Sequence, residues 1–191
     1  MKEKTLILTA IILTATAIIG SIYLHGRNET ISHNTIRFIK PLVCSDNETT
    51  TDVGKFNCSY QNKDPDEGWK TLSIELSNAY PGYSVHCNFT LKNIGNQTDT
   101  VETVTVTDLT GDLKWQWTNS YTEGSLWKDN NGNNAYDPTE EVINITLTEL
   151  PGKSLTSNET MQAQIDVTIA ENAQQNQAYN FQITLTYEEE Q

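Results

Sequence analysis

"MQAQIDVTI" (Met161–Ile169) alternates without a break: Met161, Ala163, Ile165, Val167 and Ile169 fall on one face, and Gln162, Gln164, Asp166 and Thr168 on the other. Successive side chains of an extended chain point to opposite sides. This period of two therefore describes a strand with one buried and one wet face, whereas a helix needs apolar residues three and four apart. "YNFQITLTY" (Tyr179–Tyr187) repeats the scheme with Phe181, Ile183, Leu185 and Tyr187. Further back, "VINITLTEL" (Val142–Leu150) turns Ile143, Ile145 and Leu147 inward. "SVHCNFTLK" (Ser84–Lys92) does the same with Val85, Cys87, Phe89 and Leu91. "VETVTVTDL" (Val101–Leu109), "LKWQW" (Leu113–Trp117) and "TLSIEL" (Thr71–Leu76) complete the set, separated by turn signals such as Pro81-Gly82, "NIGN" (Asn93–Asn96) and "PGKS" (Pro151–Ser154). Threonine on the outward faces favours strand through its branched Cβ and stays wettable.

About seven strands follow Trp69, and "NTIRFIKPLV" (Asn34–Val43) adds an earlier one that is expected to end at Pro41. Clean inward-apolar and outward-polar splits predict antiparallel pairing, because parallel sheets are buried on both faces. The expected fold is all-β, an antiparallel two-sheet sandwich of jelly-roll type. "CSDNETTTDVGKFNCSYQNKDPDEG" (Cys44–Gly68) reads as a polar, turn-rich excursion, and "AENAQQNQ" (Ala170–Gln177) as a polar connection or a single helical turn.

Ahead of this body, Thr5–Leu24 is an uncharged, mostly apolar run behind Lys2 and Lys4. It is long enough to span a bilayer, and it also carries small residues at Ala15 and Ala17 that suit a cut after Ala17. Signal peptide and retained anchor both remain open, and either places the rest of the chain outside the cytoplasm. The expected division is residues 1–26 for export or anchoring, 27–68 for the first strand and the polar excursion, and 69–191 for the sandwich body, with 27–191 as one domain. The formal charge of −13 sets the exported body against nucleic acid and anionic lipid, and makes it tolerant of cations. Asn-x-Ser/Thr sequons at Asn28, Asn47, Asn57, Asn88, Asn96, Asn144 and Asn158 suggest a glycosylated outer surface. Of the three pairings that Cys44, Cys58 and Cys87 allow, Cys44–Cys58 is expected. It would close a short loop-like segment and leave Cys87 as a buried thiol.

"DNNGNNAYDPTE" (Asp129–Glu140) has the spacing of a calcium loop: Asp129 at position 1, Asn131 at 3, Asn133 at 5, Ala135 at 7, Asp137 at 9 and Glu140 at 12. Alternate side chains converge on a hard cation in such loops, position 7 offers a carbonyl, and the final Glu binds through both oxygens. Position 6, where glycine is usual, is Asn134, the residue that best tolerates positive φ after glycine. A solvated turn would use the same residue types. Five oxygen side chains at ligand positions favour Ca2+ in a structural role. Catalytic patterns are missing: there is no His-Glu-x-x-His, no Gly-x-Ser-x-Gly and no Cys-x-x-Cys. A non-enzymatic protein is expected. Trp115, Trp117 and Trp127 would either pack a core or edge, or line a carbohydrate-binding face.

The order of the pieces carries a resemblance. An export segment and a short strand are followed by "NAYPGYSVHCNFTLKNIGN" (Asn78–Asn96), then "DLTGDL" (Asp108–Leu113), then "LTELPGKSLTSNETMQAQIDVTIAENAQQNQAYNFQITLTYEEEQ" (Leu147–Gln191). In this order the chain resembles the TasA/camelysin family of secreted β-sandwich proteins, including the related archaeal bundling-pilus subunits. The resemblance implies a jelly-roll-like fold and a filament- or matrix-forming role in which the N-terminal segment of one subunit completes a sheet of the next. Ile36 and Phe38 would then be the donated side chains, and the partner would be the protein itself or another surface protein. The alternative expectation is a membrane-anchored monomeric binding module for adhesion or carbohydrate.

Overall fold

The computed structural model describes residues 35–49, 53–63, 68–119, 122–148 and 150–189. The export or anchor segment and the sequon at Asn28 lie outside them. Eleven strands follow one another: β1 Ile36–Asp46, β2 Lys55–Lys63, β3 Trp69–Ala79, β4 Ser84–Asn93, β5 Asp99–Asp108, β6 Lys114–Asn119, β7 Glu123–Trp127, β8 Glu141–Leu147, β9 Ser154–Leu155, β10 Thr160–Ile169 and β11 Gln177–Glu189. Among the described residues the one helical element is the 3-10 turn Pro138–Glu140, and no helix is long and apolar enough to cross a membrane.

All pairings are antiparallel. The strand order β6-β7-β8-β10-β4-β1-β3-β11-β5-β9, with β2 also on β3, makes one curled sheet. Its narrowest joint is between β1 and β3, which pair only at Phe38↔Trp69. That joint divides the sheet into two layers, β6-β7-β8-β10-β4-β1 and β2-β3-β11-β5-β9. Their inner faces carry the alternating apolar residues of the sequence. Val85, Cys87, Phe89, Leu91, Ile143, Ile145, Leu147, Ile165 and Val167 are buried from the first layer, and Leu72, Ile74, Leu76, Val104, Val106, Phe181, Ile183 and Leu185 from the second. In β5, Val101 is buried as well as Val104 and Val106, although strict alternation would send it outward. A register shift opposite Thr186/Tyr187 resets the parity between them.

Three expectations are corrected. The first strand does not stop at Pro41 but runs to Asp46, with the β1–β4 register shifting between Ile39 and Leu42. Proline has no N–H to give to a ladder and is tolerated where the ladder is already interrupted. The polar excursion contains β2, whose half-buried Phe56, Cys58 and Tyr60 alternate with polar residues and pair along β3. The strand count rises further because β7 and β9 are short segments without usable alternation: Gly124, Ser125, Leu126 and Trp127 are all buried. Residues 170–176 form a turn-rich polar connection, one of the two alternatives expected there, and Gln177 opens β11.

Ile36 and Phe38 are fully buried and belong to the common core. Phe38 sits where the layers meet, 5.4 Å from the Phe89 ring and stacked at 5.6 Å on Tyr60, which stacks at 5.2 Å on Trp69. Truncating a large aromatic at such a site removes transfer energy and leaves a cavity. Phe38→Ala is expected to lower the unfolding free energy by about 3–5 kcal/mol, measured by urea denaturation followed through tryptophan fluorescence.

Candidate functional site

The asparagine-rich loop joins β7 to β8, and two left-handed residues bend it, Gly132 (φ 73) and Asn134 (φ 57). These bends turn its N–H groups onto its own side chains. Asn134 N–H donates to Asp129 Oδ2 (3.0 Å), Asn133 N–H to Asn131 Oδ1 (3.0 Å), and Ala135 N–H to Asn133 Oδ1 (2.7 Å). From the far end, Glu140 Oε1 accepts from Asn130 N–H (2.9 Å) and Asn131 N–H (3.1 Å), so this carboxylate is turned into the loop that Asp129 opens. Lys114 on β6 donates to Asp129 Oδ2 (2.8 Å) and to Asn134 Oδ1 (2.6 Å). The lysine holds the Asp129 carboxyl below the usual carboxylate range, with the Asn134 and Gly132 N–H groups adding to the effect.

Two oxygens are left over. Asp129 Oδ1 and Glu140 Oε2 are buried and make no hydrogen bond, and Glu140 as a whole is only 7% exposed. A buried carboxylate oxygen without a donor is costly, and a hard cation is the partner that carboxylate oxygens at positions 1 and 12 of such a frame take. Asn131 and Asn133 each spend one lone pair of their side-chain oxygen on an N–H and keep the second. Asp137 is placed differently: its Oδ1 accepts from Thr139 N–H and Thr139 Oγ1, both at 2.8 Å, and caps the 3-10 turn. The Asp129, Asp137 and Glu140 carboxylates therefore do not gather into one cluster. Ala135 is exposed at the bend.

Beside the loop, Trp127 is 4% exposed and meets Tyr136 edge-on at 6.1 Å, while the Lys114 ammonium lies 5.1 Å from the Trp127 ring centre. Burial and the hydrogen bond to Glu141 push the Tyr136 hydroxyl up to about 12. Trp115 and Trp117 on β6 are half-buried and edge-to-face at 5.1 Å. Trp115 lies across Gly124 of β7, where an added Cβ would come within 2.2 Å of the indole. These tryptophans pack the β6–β7–β8 end of the sheet.

The described sequon residues Asn47, Asn57, Asn88, Asn96, Asn144 and Asn158 are all exposed. Asn88 and Asn144 sit on the outward face of their strands, as their alternation predicts. Asn88 Nδ2 meets His86 Nε2 at 2.9 Å, and His86 Nδ1 lies 2.6 Å from Asp166 Oδ1, so β4 and β10 share a polar chain that the sequence does not announce.

The cysteine pairing is corrected. The disulfide joins Cys44 to Cys87, not to Cys58, and Cys58 is the free thiol. Cys44 and Cys87 stand directly opposite each other on β1 and β4, with Cα atoms 4.1 Å apart. Cys58 comes from the other layer, and its Sγ lies 3.5 Å from that of Cys87. The three sulfurs lie within 4.8 Å of one another, the one group of three such ligand atoms among the described residues. Burial pushes the Cys58 thiol up to about 12.

No protein-family model matches this chain, and no curated protein or solved structure matches it.

Since Trp115 needs the space over Gly124, Gly124→Ala forces an overpacked contact. It is expected to cost about 1–3 kcal/mol, read as a lowered urea midpoint together with a change in tryptophan emission.

Proposed function

We propose that this chain is a non-enzymatic, exported or cell-surface structural protein, a filament or matrix subunit that joins copies of itself by exchanging β1, with a structural calcium ion in the loop between β7 and β8. The observation that carries the reading is the seating of β1. This strand buries Ile36 and Phe38 completely, ladders along β4, and has a backbone ladder to the second layer of one residue pair. The first described strand, with deep anchors and one nearly unladdered edge, makes the same contacts whether its own chain or a neighbour supplies it, so exchange costs little at equilibrium once the Cys44–Cys87 tie to β4 is opened. Head-to-tail exchange leaves one donor and one acceptor at the ends of every assembly, and the product is an open filament rather than a ring.

The point at which β1 would part from its own body is the connection to β2. There Glu48 gathers the N–H groups of Val53 (2.8 Å) and Gly54 (3.0 Å) and the Tyr80 hydroxyl (2.9 Å). Asn47 bonds Gly82 O (3.0 Å) and Ser84 N–H (3.1 Å) through its side chain. These are polar, solvent-accessible contacts that open at lower cost than a packed core. The exposed sequons and the net charge of −13 suit a glycosylated, acidic outer surface.

Calcium is supported by the two unpartnered oxygens of Asp129 and Glu140. Ca2+ at about a hundred times its dissociation constant adds about 2.7 kcal/mol to the folded state. Calcium is therefore expected to raise the melting temperature of the chain, and Asp129→Ala with Glu140→Ala to abolish the rise; no rise in the unaltered protein removes calcium from the reading.

Negative-stain electron microscopy of the exported chain, beginning at its native amino terminus, tests assembly. Filaments are expected in calcium, with fewer or shorter ones in chelator. Dispersed particles in both conditions would overturn the filament reading and point to the anchored monomer.

A further inference from the structure

We propose that Cys44, Cys58 and Cys87 form an internal disulfide-exchange site, in which Cys58 displaces Cys44 from Cys87 and thereby releases β1 from its covalent tie to β4. The exchange rests on the contact between the sulfurs and on the unladdered gap between β1 and β2. Its use in handing β1 to a neighbour rests on the filament reading.

Cys87 is the sulfur shared by both arrangements. It is bonded to Cys44 on the adjacent strand and is in contact, at 3.5 Å, with the Cys58 sulfur from the opposite layer. Attack needs a thiolate within reach of a disulfide sulfur and close to the line of the S–S bond. The Cys58 sulfur is in reach of Cys87 but also within 4.8 Å of Cys44, too near for an in-line approach, so it must swing onto the S–S axis as the β1–β2 gap opens. Cys58 loses its proton to solvent and its sulfur bonds Cys87 Sγ. The Cys44–Cys87 bond breaks, its electron pair leaves on Cys44, and Cys44 takes up a proton. One disulfide and one thiol are present before and after, so no oxidant or reductant is consumed.

The surroundings set the direction of departure. Cys87 is fully buried, whereas Cys44 is half-buried at the margin of the core. A thiolate leaving Cys44 is therefore closer to water than one leaving Cys87. The same burial that pushes the Cys58 thiol up to about 12 makes its thiolate scarce while the layers are closed, which slows its attack on the Cys44–Cys87 bond. Opening the gap between β1 and β2 exposes Cys58, and no β1–β2 ladder has to break for this, because β2 pairs only with β3. The two bridges close loops of similar size, with sequence separations of 43 and 29. Loop entropy depends on length only logarithmically, so it gives neither bridge a large advantage. After exchange, Cys58–Cys87 ties β2 to β4 across the sandwich, and β1 is held by hydrogen bonds and packing alone.

The test is a map of which cysteine is free. Full-length protein is incubated with and without sub-denaturing urea, quenched into acidic denaturant with N-ethylmaleimide, deglycosylated and digested with trypsin. Cuts at Lys55, Lys63, Lys70 and Lys92 place the three cysteines on separate peptides. A fraction of molecules labelled at Cys44, together with linked Cys58 and Cys87 peptides, is expected. The fraction should grow in urea and vanish in Cys58→Ser. Cys44→Ser should be isolated with a Cys58–Cys87 disulfide. Label confined to Cys58 in the unaltered protein under both conditions would overturn the proposal, whatever the behaviour of the variants. Exchange without filaments would count against strand donation and leave the exchange site standing.

Discussion

The structure depends on the aromatic column at the joint between its two layers. Phe89 on β4, Phe38 on β1, Tyr60 on β2 and Trp69 on β3 follow one another at ring separations of 5.2 to 5.6 Å. Backbone pairing between β1 and β3 amounts to one residue pair, so side-chain packing, not a hydrogen-bond ladder, closes this side of the sandwich. Tyr60 adds a polar stitch, its hydroxyl donating to Ile39 O at 3.1 Å across the gap that the missing ladder leaves. Burial raises the Tyr60 hydroxyl to about 12, so it stays protonated and able to donate throughout the physiological range. Such a closure is strong against unfolding because it is apolar, yet it leaves the backbone edges of β1 and β2 free for another strand.

Legibility in the sequence followed the wetting of each strand. Strands with one wet face, such as β10 and β8, announced their inward residues by alternation, and those residues are the core. β7 is covered on both faces, with Trp115 lying on Gly124, so its residues do not alternate, and the run was hidden between turn-rich segments. β2 did alternate, through Phe56, Cys58 and Tyr60, but its polar members and its neighbours made the whole stretch resemble a loop. In the asparagine-rich loop, the tolerance of Asn134 for positive φ was legible, and the backbone bends there as that tolerance allows. The cap made by Asp137 was not, because the same residue type serves a turn and a ligand shell equally well. The disulfide was illegible for a topological reason: Cys44 and Cys58 are close in the chain but lie in opposite layers, while a register set across the β1–β4 pair brings Cys87 to face Cys44.

The asparagine-rich loop and the Cys44–Cys87 disulfide sit on different strands of one layer, β7–β8 and β4–β1. The asparagine-rich loop closes the β7–β8 hairpin, with Lys128 N–H donating to Glu140 O at 3.0 Å beside the Trp127↔Glu141 pair. The disulfide joins β1 to β4, with β10 standing between β4 and β8. Removing β1 leaves β4 paired to β10 and β10 to β8 throughout, so the hairpin and its loop keep their supports. A cation held by Asp129 and Glu140 would stiffen the part of the layer that stays behind.

Breaking the covalent tie does not by itself free the strand. Ile36 and Phe38 remain fully buried, and each such side chain contributes about 1.5–3 kcal/mol relative to exposure. A body that lost β1 would expose one edge of β4 together with the empty seats of both side chains, a surface that water stabilises poorly and that another strand fills well. Under the filament reading, the same segment of a second copy would fit those seats in shape and register. In the proposed exchange, disulfide and anchors would act in series: the sulfur chemistry would remove a tie that no equilibrium opening can break, and the apolar anchors would keep the strand seated until another could take its place.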